Sequence, residues 1–160
     1  MPVIVRHGRS LPDPAIAADD WPLDPAGHAA IAELADRLRS TVVVCSGMRR
    51  AVETARYFGP PTVDPRLAEV SRPFVTQLEA RVRTYFAGHP VEGWEPQSEA
   101  IARFDASLAQ HGEAVYVTHG TVMSLYVASR CRRVDAYAFW AGLRNPDAWT
   151  FENGQPRRVV

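Results

Sequence analysis

One pattern occurs three times along the chain: a short, mainly apolar run, a turn that combines glycine with histidine or arginine, and a helix-forming segment. The apolar runs cover residues 3–5, 42–45 and 114–118. They are too short to form helices and are typical of strands buried on both faces. Strands that alternate with helices predict an α/β protein, a three-layer α/β/α sandwich with a mostly parallel central sheet. Ligands of such sheets bind at the carboxyl ends of the strands.

The composition excludes several classes of protein. A chain of 160 residues predicts one domain, residues 1–160. Its 18 basic and 18 acidic side chains cancel, which argues against a broad surface for nucleic acid or membrane. No apolar run reaches the length of about 18 residues that a membrane span needs. Two cysteines, Cys45 and Cys131, are too few for a disulfide framework. With no signal peptide before the first strand, we expect a cytoplasmic protein.

The helices follow from apolar spacing and from helix start and stop signals. Ser46 is expected at the N-cap of the second helix, because serine accepts a hydrogen bond from the free N–H groups there. Gly59 and the prolines after it are expected to end this helix at Phe58. The other predicted helices cover residues 31–38, 76–86, 98–110, 121–128 and 134–143. Residues 62–63 and 148–152 are predicted strands, the latter with a hairpin arm as the alternative.

Cationic and imidazole side chains follow the three strands. Arg6, His7 and Arg9 come after the first strand, Arg50 after the second and His119 after the third. A guanidinium group matches the oxygens of phosphate, so we expect a phosphate at this edge of the sheet. Nearby positive charge keeps an imidazole neutral, and only the neutral form can attack phosphorus. Ordinary solvated side chains are the alternative for each residue alone.

An acid completes the set. Glu69 follows the short strand predicted at residues 62–63, and a carboxylic acid near a leaving oxygen could donate its proton. Two imidazoles, several arginines and a carboxylate are the parts needed for phosphoryl transfer through a histidine nucleophile. Burial or a bound phosphate would raise the pKa of Glu69, whereas the arginines would lower it, and the sequence leaves the balance open.

Four segments resemble the histidine phosphatase superfamily, whose fold is phosphoglycerate-mutase-like. They are Arg6-His7-Gly8, the stretch from Ser46 to Ala55, Leu67-Ala68-Glu69 and His119-Gly120. The resemblance covers nearly the whole chain, in the order that the family has, and indicates its small phosphatase branch. It implies that His7 becomes phosphorylated, that Arg6 and Arg50 bind phosphate, and that Glu69 donates the proton. It also implies that His119 is the second histidine of the site and binds phosphate. Arg9 is a further candidate for binding phosphate.

The sequence departs from the family pattern at three places. Gly47 stands where proline is usual after Ser46, and Asp13 stands where asparagine often helps to bind phosphate. The Gly-x-Trp-Glu-Gly segment expected after the acid is replaced by Ser71-Arg72-Pro73. We therefore expect a different pocket for the leaving group, and roles for Asp13 and Arg72 stay open.

Parts of this residue set would also fit three other functions. His7, His119, Glu69 and Asp13 could be metal ligands, but the arginines would repel a divalent ion. A mutase needs longer insertions that close over the site, and a non-catalytic module that binds a phosphorylated ligand does not need both histidines and the acid. The sequence therefore favours a phosphatase acting on a small phosphorylated metabolite, with no metal and no cofactor. It names neither the substrate nor the oligomeric state.

Overall fold

Six strands form one sheet in the computed structural model, which describes residues 1–38 and 42–159. The strands are β1 (Val3–Arg6), β2 (Val43–Cys45), β3 (Thr62–Val63), β4 (Val115–Thr118), β5 (Asp147–Glu152) and β6 (Gln155–Arg158). Their order is β3-β2-β4-β1-β5-β6. The first four of these pair in parallel, whereas β5 runs antiparallel to both β1 and β6. The mostly parallel sheet is confirmed, and residues 147–158 form the hairpin.

Helices cover both faces of the sheet. They are α1 (His28–Arg37), α2 (Arg49–Ala55), α3 (Leu78–Phe86), α4 (Gln97–His111), α5 (Gly120–Arg130) and α6 (Ala136–Ala141). Short 3-10 turns occur at Ala18–Asp20, Pro25–Gly27 and Pro65–Leu67. The three-layer sandwich is therefore confirmed. In residues 1–38 and 42–159, no helix combines the length and the apolar character needed to cross a membrane.

Successive side chains of each strand point to opposite faces of the sheet, so the protein has two hydrophobic cores. Ile4 and Tyr116 face the core under α3 to α6, whereas Val5 and Val117 face the core under α1 and α2. All four side chains are fully buried. Neighbouring residues of a strand point to opposite faces, so a strand covered on both sides must be apolar throughout. This double burial holds the strand ends in place.

The second helix begins later and ends earlier than predicted. Ser46 extends β2, because its N–H donates to the carbonyl of Val117 (3.0 Å). The N-cap of the helix is Met48, whose backbone is extended. The N–H of Met48 donates to the Ser46 hydroxyl (3.2 Å). The prediction of Ser46 as N-cap was therefore wrong, because the sheet continues one residue farther. The helix ends at Ala55, three residues before Phe58.

The parallel strands bring their carboxyl ends to one edge. β1 and β4 are neighbours in register, with Arg6 opposite Thr118. The N–H of His7 donates to the carbonyl of Thr118 (3.0 Å), which continues the ladder one step beyond the strands. His7 and His119 therefore leave adjacent strands side by side. Residues 39–41 and 160 of the predicted domain lie outside the described residues.

Candidate active site

His7 is held in one tautomer. Its Nδ1 lies 2.6 Å from the carbonyl oxygen of Gly8, which can only accept, so Nδ1 carries the proton. Its Nε2 accepts a hydrogen bond from Nε of Arg50 (3.1 Å) and therefore presents a lone pair. Burial and the charge of Arg50 lower the pKa of His7 to about 3. The imidazole is thus neutral at physiological pH, with its lone pair on Nε2.

Arg50, in the first turn of α2, lies beside Nε2 of His7. Its side chain is buried, and its Nη1 donates to the carbonyl of Ala18 (2.6 Å). Burial lowers the pKa of Arg50, and the charge of Glu69 opposes this shift. Because Arg50 is anchored at both Nε and Nη1, its charge is fixed next to Nε2 of His7.

His119 lies against His7 at the edge of the sheet. The two ring centroids are 5.0 Å apart, and His119 is completely buried. Its Nε2 makes a hydrogen bond of 2.8 Å with the hydroxyl of Ser46. Burial and the positive surroundings lower the pKa of His119 well below its usual value. The sequence prediction that the two histidines share one site matches this geometry.

Arg6 completes the set that we call the histidine cluster: Arg6, His7, Arg50 and His119. The guanidinium of Arg6 donates to the carbonyl of Leu143 (3.3 Å). It also packs on Gly120, where an added Cβ would lie 3.2 Å from its Nε. Within the described part of the chain, Nε of Arg6 and Nδ1 of His119 are buried without a hydrogen-bond partner. Buried polar atoms without a partner are costly, and these two both belong to the histidine cluster.

Glu69 lies at the N-terminus of α5. Its carboxylate accepts hydrogen bonds from the N–H groups of Val70 (2.9 Å), Thr121 (3.0 Å) and Val122 (2.9 Å). Burial raises its pKa, but the charge of Arg72 and the three N–H groups outweigh burial, and the pKa is lowered overall. The free protein therefore holds Glu69 as a carboxylate at neutral pH.

Arg103 of α4 holds the loop that carries Glu69. Its guanidinium donates to the carbonyls of Arg66 (2.6 Å), Ala68 (2.7 Å) and Glu69 (3.2 Å). Glu95 forms an ion pair with it at 2.7 Å and also accepts from the N–H of Ser71 (3.1 Å). The Arg103–Glu95 pair thus fixes the backbone on both sides of Glu69.

A cavity of about 400 Å³, which we call the side cavity, opens beside Glu69 and Arg50. Its lining includes Ala18 and Asp19 of the 3-10 turn Ala18–Asp20 and residues 68–75. A molecule whose phosphate lies in the histidine cluster would place its leaving group here, because the cavity shares Arg50 and Glu69 with the site.

The remaining candidates lie in different places. Arg9 pairs with Asp24 (3.2 Å), and 71% of its side chain is exposed, so no described contact joins it to the histidine cluster. Asp13 is also exposed, and its carboxylate accepts from the N–H of Ala15 (2.8 Å). Arg72 does face the site, since it lines the side cavity and donates to the hydroxyl of Thr121 (3.1 Å).

Comparison with known proteins assigns the family. Residues 3–145 match the model of the histidine phosphatase superfamily (branch 1). The chain belongs to this superfamily. None of the curated proteins compared with the chain matches it significantly.

Solved structures share the fold of this superfamily member. The protein TTHB049 from Thermus thermophilus is 24% identical, with a TM-score of 0.72 over 99% of this chain and 96% of that chain. The mycobacterial glucosyl-3-phosphoglycerate phosphatase in complex with VO3 is 23% identical, with a TM-score of 0.67 over 99% and 96%. A phosphoserine phosphatase variant from Entamoeba histolytica in complex with phosphoserine is 16% identical, with a TM-score of 0.68 over 99% and 94%. At these identities the likeness concerns the fold.

Sequence reasoning missed several residues that support the site of this superfamily member. The hydroxyl of Thr54 accepts from the N–H of Gly8 (3.0 Å), and Nδ2 of Asn145 donates to the carbonyl of His7 (3.0 Å). Arg103 and Glu95 hold the Glu69 loop as described. Thr54 lies in the motif already singled out, so the threonine was a usable signal. Asn145, Arg103 and Glu95 reach the site only through tertiary contacts.

Proposed function

We propose that this protein is a phosphatase that hydrolyses the phosphomonoester of a small metabolite through a phosphohistidine on His7. The observation that carries the proposal is the state of that imidazole. Its Nδ1 proton is held by Gly8, its Nε2 lone pair is directed to Arg50, and its pKa is lowered to about 3. A neutral imidazole of fixed orientation beside a guanidinium suits attack on a bound phosphate.

In the first step, Nε2 of His7 gives up the hydrogen bond from Nε of Arg50 and forms a bond to phosphorus while the bond to the leaving oxygen breaks. Arg6, Arg50 and His119 bind the remaining phosphate oxygens, on which transition-state charge collects. The unpaired Nε of Arg6 is a ready donor for this purpose. His119 contributes through Nδ1, which also lacks a protein partner in the described chain.

Glu69 gives its proton to the leaving oxygen in this step. The carboxyl is ionised in the free protein, so it must take up a proton from solvent when substrate binds. A phosphate dianion in the histidine cluster supplies the cause, because a second negative charge nearby raises the pKa of a carboxyl group. In the second step, water attacks phosphorus, the bond to Nε2 breaks, and the Glu69 carboxylate takes the proton from water.

The same proposal includes chemistry without a metal or cofactor. Guanidinium groups supply the positive charge that a divalent ion would otherwise provide. No group of three or more histidine, cysteine or acidic side chains is placed to hold a metal within residues 1–38 and 42–159. We also propose a cytoplasmic location, which is supported by the two free, buried cysteines Cys45 and Cys131.

The test is release of inorganic phosphate from p-nitrophenyl phosphate and a panel of phosphorylated metabolites. We expect hydrolysis that persists in chelator and is inhibited by vanadate. Activity that is lost in chelator and restored by a divalent ion would overturn the metal-independent mechanism. Binding of phosphorylated ligands without turnover would indicate a non-catalytic module.

A second assay separates hydrolysis from transfer to another metabolite. Labelled substrate is incubated with an excess of a second alcohol, and the fate of the phosphoryl group is followed. We expect it to go mainly to water. Predominant transfer to the second alcohol would identify a mutase instead.

A further inference from the structure

The lining of the side cavity is mainly apolar, and we call its four large apolar residues the apolar wall. They are Trp21, Phe74, Val75 and Leu78. A small polar leaving group such as glycerol would leave this wall in contact with water. Burial of apolar surface is favourable in proportion to its area, so the wall favours a leaving group that covers it.

Two aromatic rings are the clearest sign of what the cavity binds. Phe74 is 72% exposed, the highest fraction for any large hydrophobic side chain in the described part of the chain. Its ring meets that of Trp21 edge to face, with centroids 6.5 Å apart. The indole of Trp21 donates to the carbonyl of Asp13 (2.8 Å), which fixes its orientation. The pair is thus arranged before any ligand arrives, and aromatic rings favour such edge or offset contacts with a further ring.

The charged side chains that line the side cavity limit which leaving groups it can bind. Arg50 belongs to the histidine cluster, and the charge of Arg72 is opposed by the carboxylate of Glu69. Arg72 also lies over the ring of Trp94, 5.1 Å from its centroid, which holds it against the protein. Asp19 adds a carboxylate to the wall. A leaving group with its own negative charge would be repelled by Asp19.

We propose that the side cavity binds an uncharged aromatic leaving group, so that preferred substrates are phosphomonoesters of alcohols that carry an apolar ring. This inference rests on the proposed phosphatase function and concerns only which esters are hydrolysed fastest. A volume of about 400 Å³ lies in the range of small-molecule pockets and accommodates one ring or two.

The experiment compares 3-phenylpropyl phosphate with propyl phosphate. Both are primary alkyl esters, so their leaving oxygens have similar intrinsic reactivity and the ratio of kcat/KM reports recognition of the ring. We expect 3-phenylpropyl phosphate to have a kcat/KM about tenfold higher or more. We expect 3-carboxypropyl phosphate to be the poorest of the three, and Asp19→Asn to improve it selectively.

The variant Phe74→Ala tests whether the preference for a ring-bearing substrate arises from the apolar wall of the side cavity. Phe74 is exposed, so the substitution should leave the fold intact, and we expect the ratio for phenylpropyl over propyl phosphate to fall toward one. Tyr57→Ala is the matched control, because Tyr57 is an exposed aromatic that contacts His28 outside this cavity. It should keep the wild-type ratio.

Three outcomes would overturn the inference. A wild-type protein that hydrolyses p-nitrophenyl phosphate but shows a ratio near one lacks the preference, and the phosphatase proposal then stands. If the kcat/KM ratio for phenylpropyl over propyl phosphate is high but Phe74→Ala does not change it, the ring is recognised outside the side cavity. If no phosphate ester is hydrolysed at all, the phosphatase proposal fails, and the inference fails with it.

Discussion

The histidine cluster and the side cavity are adjacent but are built in opposite ways. Three members of the cluster, His7, Arg50 and His119, are at most 8% exposed and lie at strand ends or in the first turn of a helix. Most of the cavity wall comes from loop residues at positions 18, 19, 21 and 68–75, and its ring Phe74 is 72% exposed. One part is held by the sheet, the other by local contacts among loops.

This difference matches the division of the proposed chemistry. Every phosphomonoester presents the same phosphate, so the groups that bind it gain from a rigid framework of buried strands. Leaving groups differ from one substrate to another, and loops change shape and sequence at lower cost to the fold. Changes in the histidine cluster should therefore affect all substrates alike, whereas changes around the cavity should depend on the leaving group.

The largest effect is expected from His7→Ala. Without Nε2 no phosphohistidine forms, so turnover should fall by more than about 10³-fold for every ester, whatever its leaving group. Phosphate release and trapping of acid-labile labelled phosphoenzyme measure this. His28→Ala, at an exposed position on α1, is the control and should keep both activity and labelling. A folded His7→Ala protein with normal turnover would refute the assignment of the nucleophile.

Glu69→Gln should produce a loss that depends on the leaving group. The amide cannot donate an acid proton, so hydrolysis of alkyl phosphates should slow by about 10²–10⁴-fold. p-Nitrophenyl phosphate should slow much less, because its leaving oxygen departs without a proton. Glu99→Gln on the exposed face of α4 serves as the control. Equal slowing of both substrates would mean that Glu69 is structural and that another group is the donor.

The histidine cluster should also make stability depend on pH. The pKa of His7 is near 6.5 when unfolded and about 3 when folded, so the unfolded chain binds more protons between these values. Stability should therefore fall as pH decreases through this window, by about 2 kcal/mol from His7 alone between pH 7.5 and pH 5. His119 acts in the same direction, because its pKa is also lowered.

Urea unfolding at several pH values checks this expectation. His7→Gln should show a weaker loss of stability on acidification than the wild type. Phe74→Ala removes no titratable group from the side cavity and should keep the wild-type pH dependence. If His7→Gln keeps it as well, the neutral state of His7 does not contribute to the pH dependence of folding.

A smaller effect is expected from Arg103→Met, which tests how the loop that carries Glu69 is held in place. The variant keeps an apolar stem but loses the hydrogen bonds to three carbonyls around Glu69. We expect kcat for alkyl phosphates to fall by about tenfold, with a smaller change for p-nitrophenyl phosphate, because the proton donor is misplaced. KM should change little, since Arg103 does not contact substrate.

Arg130→Met is the control for that variant, because Arg130 of α5 forms an ion pair with Asp105 of α4 at the surface. It should leave both substrates unaffected. Arg103→Lys should recover part of the lost kcat. Equal losses for both substrates in Arg103→Met would indicate a general structural role rather than positioning of Glu69.

Local patterns were sufficient for the parallel strands and for the residues at their carboxyl ends, but they did not predict β6. The apolar runs predicted β1, β2 and β4, and the parallel arrangement then brings His7 and His119 together. The start of α2 was mispredicted, since the hydrogen bond from Ser46 to Val117 belongs to a different strand and leaves no local signal. The same limit applies to Arg103 and Glu95, which lie far along the chain from the loop that they hold.

The sequence by itself determined the order of strands and helices, the identity of the nucleophile candidate and the family resemblance. These follow from residue type and spacing over a few positions, because buried strands must be apolar and tight turns carry the polar groups. Only the tertiary structure decided the tautomer of His7, the lowered pKa of Glu69 and the apolar wall formed by Trp21 and Phe74. Each depends on burial and on partners from distant segments, and such contacts exist only once the chain has folded.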